Sequence, residues 1–264
     1  MGVVNVTPDS FSDGGHFLDP DAAVAHALAL VASGADLLDV GGESSRPGAA
    51  PVPAAEELAR VLPVLRALRP RVEVPVSIDT TKAIVARAAL DLGADIVNDI
   101  SGLRFDPEML PLLSGSVCGV VLMHMQGEPR TMQAAPHYDD VVGAVRTWLA
   151  QRFAAITAAG VDAERIAIDP GIGFGKRFGD NLELLRHLDT LRVAGRPLVV
   201  GASRKAFLGW LLDEPQPDRR LEGDLAVAAF CRQAGVEVLR VHDARATRRL
   251  FRVLDALDGT DPAA

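Results

Sequence analysis

Cysteine, tyrosine and tryptophan are scarce in this chain: two Cys, one Tyr and two Trp stand among 264 residues. Two thiols cannot build the dense disulfide framework of a small secreted domain, and both lie in apolar runs, Cys118 in VCGVVLM and Cys231 in AVAAFCRQA. They read as buried thiols of a reducing compartment, not as a disulfide or a catalytic pair. With aromatics at 5%, the core has to be built from Ala, Leu and Val. Basic charge is short as well. The formal net charge of -8 excludes a general nucleic-acid or anionic-membrane surface, because basic patches supply the affinity there. An anionic small molecule fits only where local Arg, Lys or helix N-termini hold it. No apolar run reaches the roughly 20 residues that span a bilayer. The leading MGVVNV has neither the basic lead and cleavage site of a signal peptide nor the Ser or Thr at position 6 of a myristoylation site. No membrane and no nucleic acid is expected as a partner, and the cytoplasm is the expected location.

What the chain does have is alternation. Short apolar runs at 3–6, 37–40, 76–79, 95–98, 117–123, 166–169, 198–201 and 238–241 read as strands. Helical patterns separate them near 21–33, 54–68, 82–92, 107–113, 140–159, 181–193, 222–234 and 244–257, with Asp19 or Asp21 as the N-cap of the first. Apolar runs without alternation mark strands buried on both faces, as in parallel sheets. Eight strand–helix units in a chain of this length predict the α/β class and a (β/α)₈ TIM barrel rather than an open doubly wound sheet. No linker or composition break divides it, so residues 1–264 are read as one domain. Two Gly- and Pro-rich loops, 7–20 and 41–53, are long for this fold, and such loops on the strand-end face carry function. A first strand beginning at Met1 leaves no lead-in to plug the opposite mouth, so the start is expected to be internal to a longer product.

In such a barrel the chemistry sits where strands hand over to loops. Strand 1 ends in Asn5, strand 2 in Asp39, strand 3 in Asp79, strand 4 in Asn98-Asp99, strand 5 in Met123-His124-Met125 and strand 6 in Asp169. Strand 7 leads to Ser203-Arg204-Lys205, and strand 8 carries Arg240 and His242. A lone Asp after a strand is usually a helix cap, and a lone His near an apolar run is usually structural. Capping does not, however, call for Asn, Lys, Arg and His at one mouth. Asp79, Asn98 and Asp169 offer acceptors and an amide to the amino-pyrimidinone edge of a pterin, and Lys205 offers a donor. Met123 and Phe174 can pack the flat faces of such a ring. Asn5, Arg240 and His242 come from strands that become neighbours on closure and can hold an anion beside a helix N-terminus.

Generic motifs fail. GIGFGK has Pro170 where a Walker A needs its first Gly, and Arg177 where it needs Ser or Thr. The glycines at 171, 173 and 175 do not match GxGxxG, and GESSR lacks the second glycine of a nucleophile elbow. His124 has no second His at ligand spacing, so no zinc site is expected.

Longer motifs say more. NVTPDSFSDGG, DVGGESSRPGAAPV, SIDT, NDISG, MHMQGEPRTMQ, DPGIGFGK, GASRKAFLG and RVHD occur in the order of the dihydropteroate synthase family of the folate pathway, which the chain resembles over nearly its whole length in the bacterial form. The resemblance implies a (β/α)₈ barrel that displaces diphosphate from 6-hydroxymethyl-7,8-dihydropterin diphosphate with the amine of 4-aminobenzoate. On the family pattern Asp79, Asn98, Asp169 and Lys205 hold the pterin, and Arg240 stacks on its ring. Asn5, Arg240 and His242 take the diphosphate, with Asn5 reaching a Mg²⁺ ion. Ser45, Arg46, Pro47, Phe174 and Ser203 border the 4-aminobenzoate site. Asp79, Asp169, Lys205, Arg240 and His242 are the catalytic set this implies, and a homodimer is implied too. Ser45 stands where the family usually has Thr. EGD at 222–224 replaces a more usual Gly-Ser pairing, and Ala244 stands for Val. The last two are expected to touch helix packing or dimer surfaces rather than chemistry. Alternatives are a corrinoid-linked methyltransferase that uses methyl-tetrahydrofolate, an aldolase with Lys205 as Schiff-base amine, and a non-catalytic pterin-binding protein.

Overall fold

A computed structural model describes residues 1–7 and 19–259. The strands are β1 (Gly2–Asn5), β2 (Leu38–Gly41), β3 (Val76–Asp79), β4 (Ile96–Asp99), β5 (Gly119–Met123), β6 (Ile166–Asp169), β7 (Val199–Val200) and β8 (Val238–Leu239). All neighbours run parallel: β1 to β6 form one continuous sheet in chain order, and β7 pairs with β8. Two parallel bridges, Ile168 with Leu198 and Gly2 with Val241, join these sheets into a closed barrel. Pairing continues past the end of β8, since the Arg240 N–H donates to the Val200 carbonyl at 3.0 Å and the Val241 N–H to that of Met1 at 2.9 Å.

Register explains the site. Asn5 pairs with Gly41, Gly41 with Asp79, Asp79 with Asn98, and Met123 with Asp169. The polar residues that close each apolar run therefore share one level, at the C-terminal mouth. Below them Val4, Val40, Val76, Ile78, Val97, Leu122, Ile168 and Val200 are buried in one continuous core, each worth about 1.5–3 kcal/mol over an exposed position.

The helices are α1 (Pro20–Ala32), α2 (Ala54–Leu68), α3 (Ala83–Asp91), α4 (Met109–Ser114), α5 (Val141–Ala158), α6 (Phe178–Arg186), α7 (Ala206–Leu212), α8 (Leu221–Gln233) and α9 (Ala244–Leu257). Asp19 caps α1, accepting from the Asp21 N–H at 2.9 Å, and Asp140 and Asp243 cap α5 and α9 in the same way. Two departures from the sequence reading bear on the site. α6 starts at Phe178 rather than near 181, because the Asp180 carboxylate accepts from the Arg177 N–H at 2.8 Å and fixes the first turn there. α7, in a stretch to which the strand and helix patterns assign no element, forms directly after Lys205 and adds a helix between β7 and α8. The loop after β1 lies mostly outside the described residues, and with it the Pro8–Gly15 part of NVTPDSFSDGG. Both cysteines are buried and free.

Candidate active site

Arg240 is the hub of the mouth. Its Nε donates to Asp39 Oδ2 at 2.6 Å, and one terminal nitrogen donates to Asp79 Oδ2 at 2.9 Å. Asn98 Nδ2 donates to the same Asp39 oxygen at 3.1 Å. Three strands are thus tied through one guanidinium whose planar fork suits two carboxylates. Burial pushes the Asp79 carboxyl up to about 7, with the nearby Asp39 charge adding to the rise and Arg240 opposing it. Asp39 had been read as a strand end without a role. The structure makes it the anchor of Arg240, and its other oxygen is buried with no hydrogen-bond partner among the described residues.

The second wall comes from β5, β6 and β7. Asp169 is buried, and its Oδ1 accepts from the Gly171 N–H at 2.7 Å. Burial pushes this carboxyl up to about 6, although the Gly171 N–H and Lys205 pull the other way. The Lys205 ammonium sits 4.0 Å from the centre of the Phe174 ring, a cation–π contact. Burial and the Arg240 charge lower its pKa to about 8. Met123 and Phe174 join Ile100, Met125 and Met132 in a small apolar cluster of their own.

The DPGIGFGK stretch owes its shape to Lys176 and its glycines. Gly171, at φ +69°, leaves room for the His124 carbonyl where a Cβ would fall, and Gly175, at φ +61°, does the same for that of Gln126. The buried Lys176 ammonium donates to the carbonyls of Gly171 at 2.8 Å and Phe174 at 3.0 Å, and lies 3.1 Å from His124 Nδ1. Burial lowers its pKa to about 7. His124 therefore supports the loop, with its ring edge-on to Trp148 at 5.0 Å. The single tyrosine, Tyr138, donates to the Gly175 carbonyl at 3.0 Å. None of these loop supports was visible in the motif itself.

Ser203 lies on the other side of Lys205. Its hydroxyl donates to Asp224 Oδ2 at 2.7 Å and lies 3.0 Å from His242 Nδ1. Asp224 Oδ1 also accepts from the Arg204 N–H at 2.8 Å. The expectation that the EGD segment would touch only helix packing or a dimer surface is therefore wrong. Asp224 reaches the mouth because α8 starts beside the 203–205 turn. Arg204 holds the left-handed conformation at φ 61°, strained for a non-glycine residue, and Arg220 clamps its carbonyl at 2.8 Å.

Three cavities open on this face. One of about 370 Å³ is lined by Asn5, Asp79, Ser203, Lys205, Arg240 and His242 together with Ser45, Arg46 and Pro47. A second, of about 540 Å³, lies across the 42–53 loop and shares Ser45 and Asp79 with the first. The third, of about 440 Å³, holds Pro47, Gly173, Lys205 and Trp210. Ser45 and Pro47 thus form partitions between cavities. Asn98, Met123 and Asp169 lie deeper and line none of the three. Ser203 falls with Asn5 and His242, while Phe174 lines none of the three cavities and meets the Lys205 ammonium through its ring. The 42–53 loop is held by two devices that sequence reading missed. Glu43 pairs with Lys82, which also reaches the buried Glu57 at 2.5 Å, and the Gly48 N–H donates to the Pro129 carbonyl at 3.3 Å.

The sequence model of the pterin binding enzyme family matches residues 1–242. A dihydropteroate synthase of Synechocystis sp. is 45% identical over 257 residues, covering 97% of this chain and 89% of that protein. The solved structure of Xanthomonas albilineans dihydropteroate synthase with 4-aminobenzoic acid is similar at a TM-score of 0.91 and 47% identity, covering 97% of this chain and 92% of that one. A structure of the same bacterium's enzyme in complex with 7,8-dihydropteroate gives a TM-score of 0.88 at 45% identity, again covering 97% and 92%.

Proposed function

This chain belongs to the pterin binding enzyme family, and we propose that it catalyses dihydropteroate synthesis, joining 6-hydroxymethyl-7,8-dihydropterin diphosphate to 4-aminobenzoate with release of diphosphate. The observation that carries this reading is the cavity that Asn5, Asp79, Lys205, Arg240 and His242 line together. It sets groups for a hydrogen-bonding heterocycle against groups for an anion, as a ring substrate that bears a leaving diphosphate requires. A methyl-transferring barrel would have no use for the anion side. The names of the relatives, at 45% identity over nearly the whole chain, favour the synthase over that rival and over a non-catalytic binder.

Asp79, Asn98, Asp169 and Lys205 hold the edge of the pterin, while Met123 and Phe174 pack its faces. Each raised carboxyl has one oxygen committed in the free protein, Asp79 Oδ2 to Arg240 and Asp169 Oδ1 to the Gly171 N–H, and the ring N–H groups address the other oxygen. Arg240 stacks on the ring and, with Asn5 and His242, receives the diphosphate. Ser45, Arg46, Pro47 and Phe174 border the 4-aminobenzoate, and Ser203 links that side to the anion side.

A Mg²⁺ ion fits the donor chemistry at Asn5, since an amide oxygen is a hard ligand and Mg²⁺ takes most of its shell from phosphate oxygens and water. No group of three His, Cys, Asp or Glu among the described residues forms a protein cage for a metal. When bound, the ion would neutralise charge on the diphosphate.

In the reaction the exocyclic C–O bond breaks and its electron pair leaves with the diphosphate. The dihydropterin delocalises the resulting cation, and the neutral aniline nitrogen attacks it with its lone pair and then loses a proton. Arg240 and His242 stabilise the leaving anion, and the Asp79 and Asp169 carboxylates stabilise the cation. The 42–53 loop, held through Glu43 and Lys82, screens the cation from water.

A cytoplasmic location is supported by the two free, buried thiols. A homodimer is supported by the exposed apolar side chains Phe230 on α8 and Val253 and Leu257 on α9. The test of function is incubation of purified protein with the pterin diphosphate, 4-aminobenzoate and Mg²⁺. Dihydropteroate and pyrophosphate are expected in equal amounts, and no product under these conditions would overturn the reading.

A further inference from the structure

Asp224, on α8, spends its carboxylate inside the site. An ionised carboxylate can only accept. Its Oδ1 takes the Arg204 N–H at 2.8 Å and its Oδ2 takes the Ser203 hydroxyl at 2.7 Å. Ser203 has one hydrogen, and Asp224 has it. Toward its other neighbours Ser203 Oγ can then only accept, from the His242 backbone N–H at 3.3 Å and from the ring at Nδ1, 3.0 Å away. The ring hydrogen must therefore lie on Nδ1, which leaves Nε2 to the cavity that His242 shares with Asn5 and Arg240.

We propose that Asp224 is a positioning residue for the diphosphate side of the site: through the Ser203 hydroxyl it fixes which nitrogen of His242 meets the leaving group. The assignment of that side rests on the function proposed above, whereas the tautomer does not. With Nε2 outward, the neutral ring of His242 meets a protonated phosphate oxygen as an acceptor. Burial, together with the Arg204 and Arg240 charges, lowers the His242 pKa to about 3 and keeps the ring neutral in the free protein, so the line from Nδ1 through Ser203 to the Asp224 carboxylate decides which nitrogen carries its one hydrogen.

The test is ¹⁵N NMR of the histidine-labelled full-length chain, read beside steady-state kinetics. In the unsubstituted protein His242 is expected with its hydrogen on Nδ1, and finding it on Nε2 would overturn the proposal whatever the enzyme turns over. Asp224→Asn keeps one acceptor oxygen, which the Arg204 N–H needs, and faces Ser203 with an NH₂. The Ser203 hydrogen is then expected to turn to Nδ1 and the ring hydrogen to move to Nε2. With it, kcat/KM for the pterin diphosphate should fall about tenfold, the scale of one charge-assisted hydrogen bond, while KM for 4-aminobenzoate stays put. An unmoved tautomer, or equal losses toward both substrates, would refute the positioning role. Ser203→Ala gives a second reading should the Asn variant fail to fold. It keeps the Asp224–Arg204 bond but cuts the link, and an Nδ1–H signal as sharp as that of the unsubstituted protein would equally refute the role.

Discussion

Asp169 shows how one carboxylate serves both scaffold and ligand. Oδ1 is committed to the Gly171 N–H at 2.7 Å, so only Oδ2 remains to face a ring. Burial makes the charge expensive there, and a ligand with N–H donors returns part of that cost. In Asp169→Asn the amide oxygen can keep the Gly171 bond, but the remaining position becomes a donor that faces another donor. Affinity for the pterin is expected to fall by about 1.5–3 kcal/mol, or roughly 10- to 150-fold, as read by calorimetric titration. An unchanged affinity would remove Asp169 from the ring site. The same reasoning explains why Asp39 escaped notice. Its partners Arg240 and Asn98 are 201 and 59 residues away in the chain, and nothing local announces a pairing that exists only once the barrel has closed.

The glycine-rich loop after β6 is the element most sensitive to substitution. Gly171 combines a left-handed φ of +69° with a carbonyl where its Cβ would sit. Gly171→Ala should cost at least about 1–2 kcal/mol for the conformation alone, seen as an earlier midpoint in urea unfolding. Because the loop carries Phe174 and packs on Lys205, KM for 4-aminobenzoate should rise with it. A variant of full stability would show that the loop can shift without cost. At this scale the sequence was legible where burial was two-sided. Runs such as VSID and VVLM cannot be exposed on either face, so strands and mouth residues could be read directly. Helix ends were less legible, since the start of α6 depends on one Asp180 carboxylate. α7 was not legible at all. Its seven residues, AFLGWLL, have no polar face to give helical periodicity and carry Trp210 at 72% exposure. The link from α8 to the site through Asp224 depends on where α7 places the next helix.

For the whole molecule, the cost of gathering charge at one mouth can be measured. Ligand binding to the folded state alone stabilises it, by about 2.7 kcal/mol at a hundredfold excess over Kd, so a pterin should raise the melting temperature by roughly 5–10 °C. The pH dependence is sharper. Burial lifts Asp169 to about 6 and Asp79 to about 7, both above the ordinary carboxylate range near 3.9. Between those values the folded, ligand-free protein holds more protons than the unfolded chain, so its stability falls as pH rises through about 4 to 7. A pterin reverses the preference, because its N–H donors need the ionised carboxylates, and binding must release protons in this window. Affinity for a pterin without phosphates, whose own titration then does not intrude, should rise from about pH 5 to about pH 7 by up to tenfold per unit for each proton released, and level off above. Asp169→Asn should remove the step near pH 6 and leave the one near 7. A pterin affinity that is flat from about pH 5 to about pH 8 would mean that neither carboxylate meets the ring.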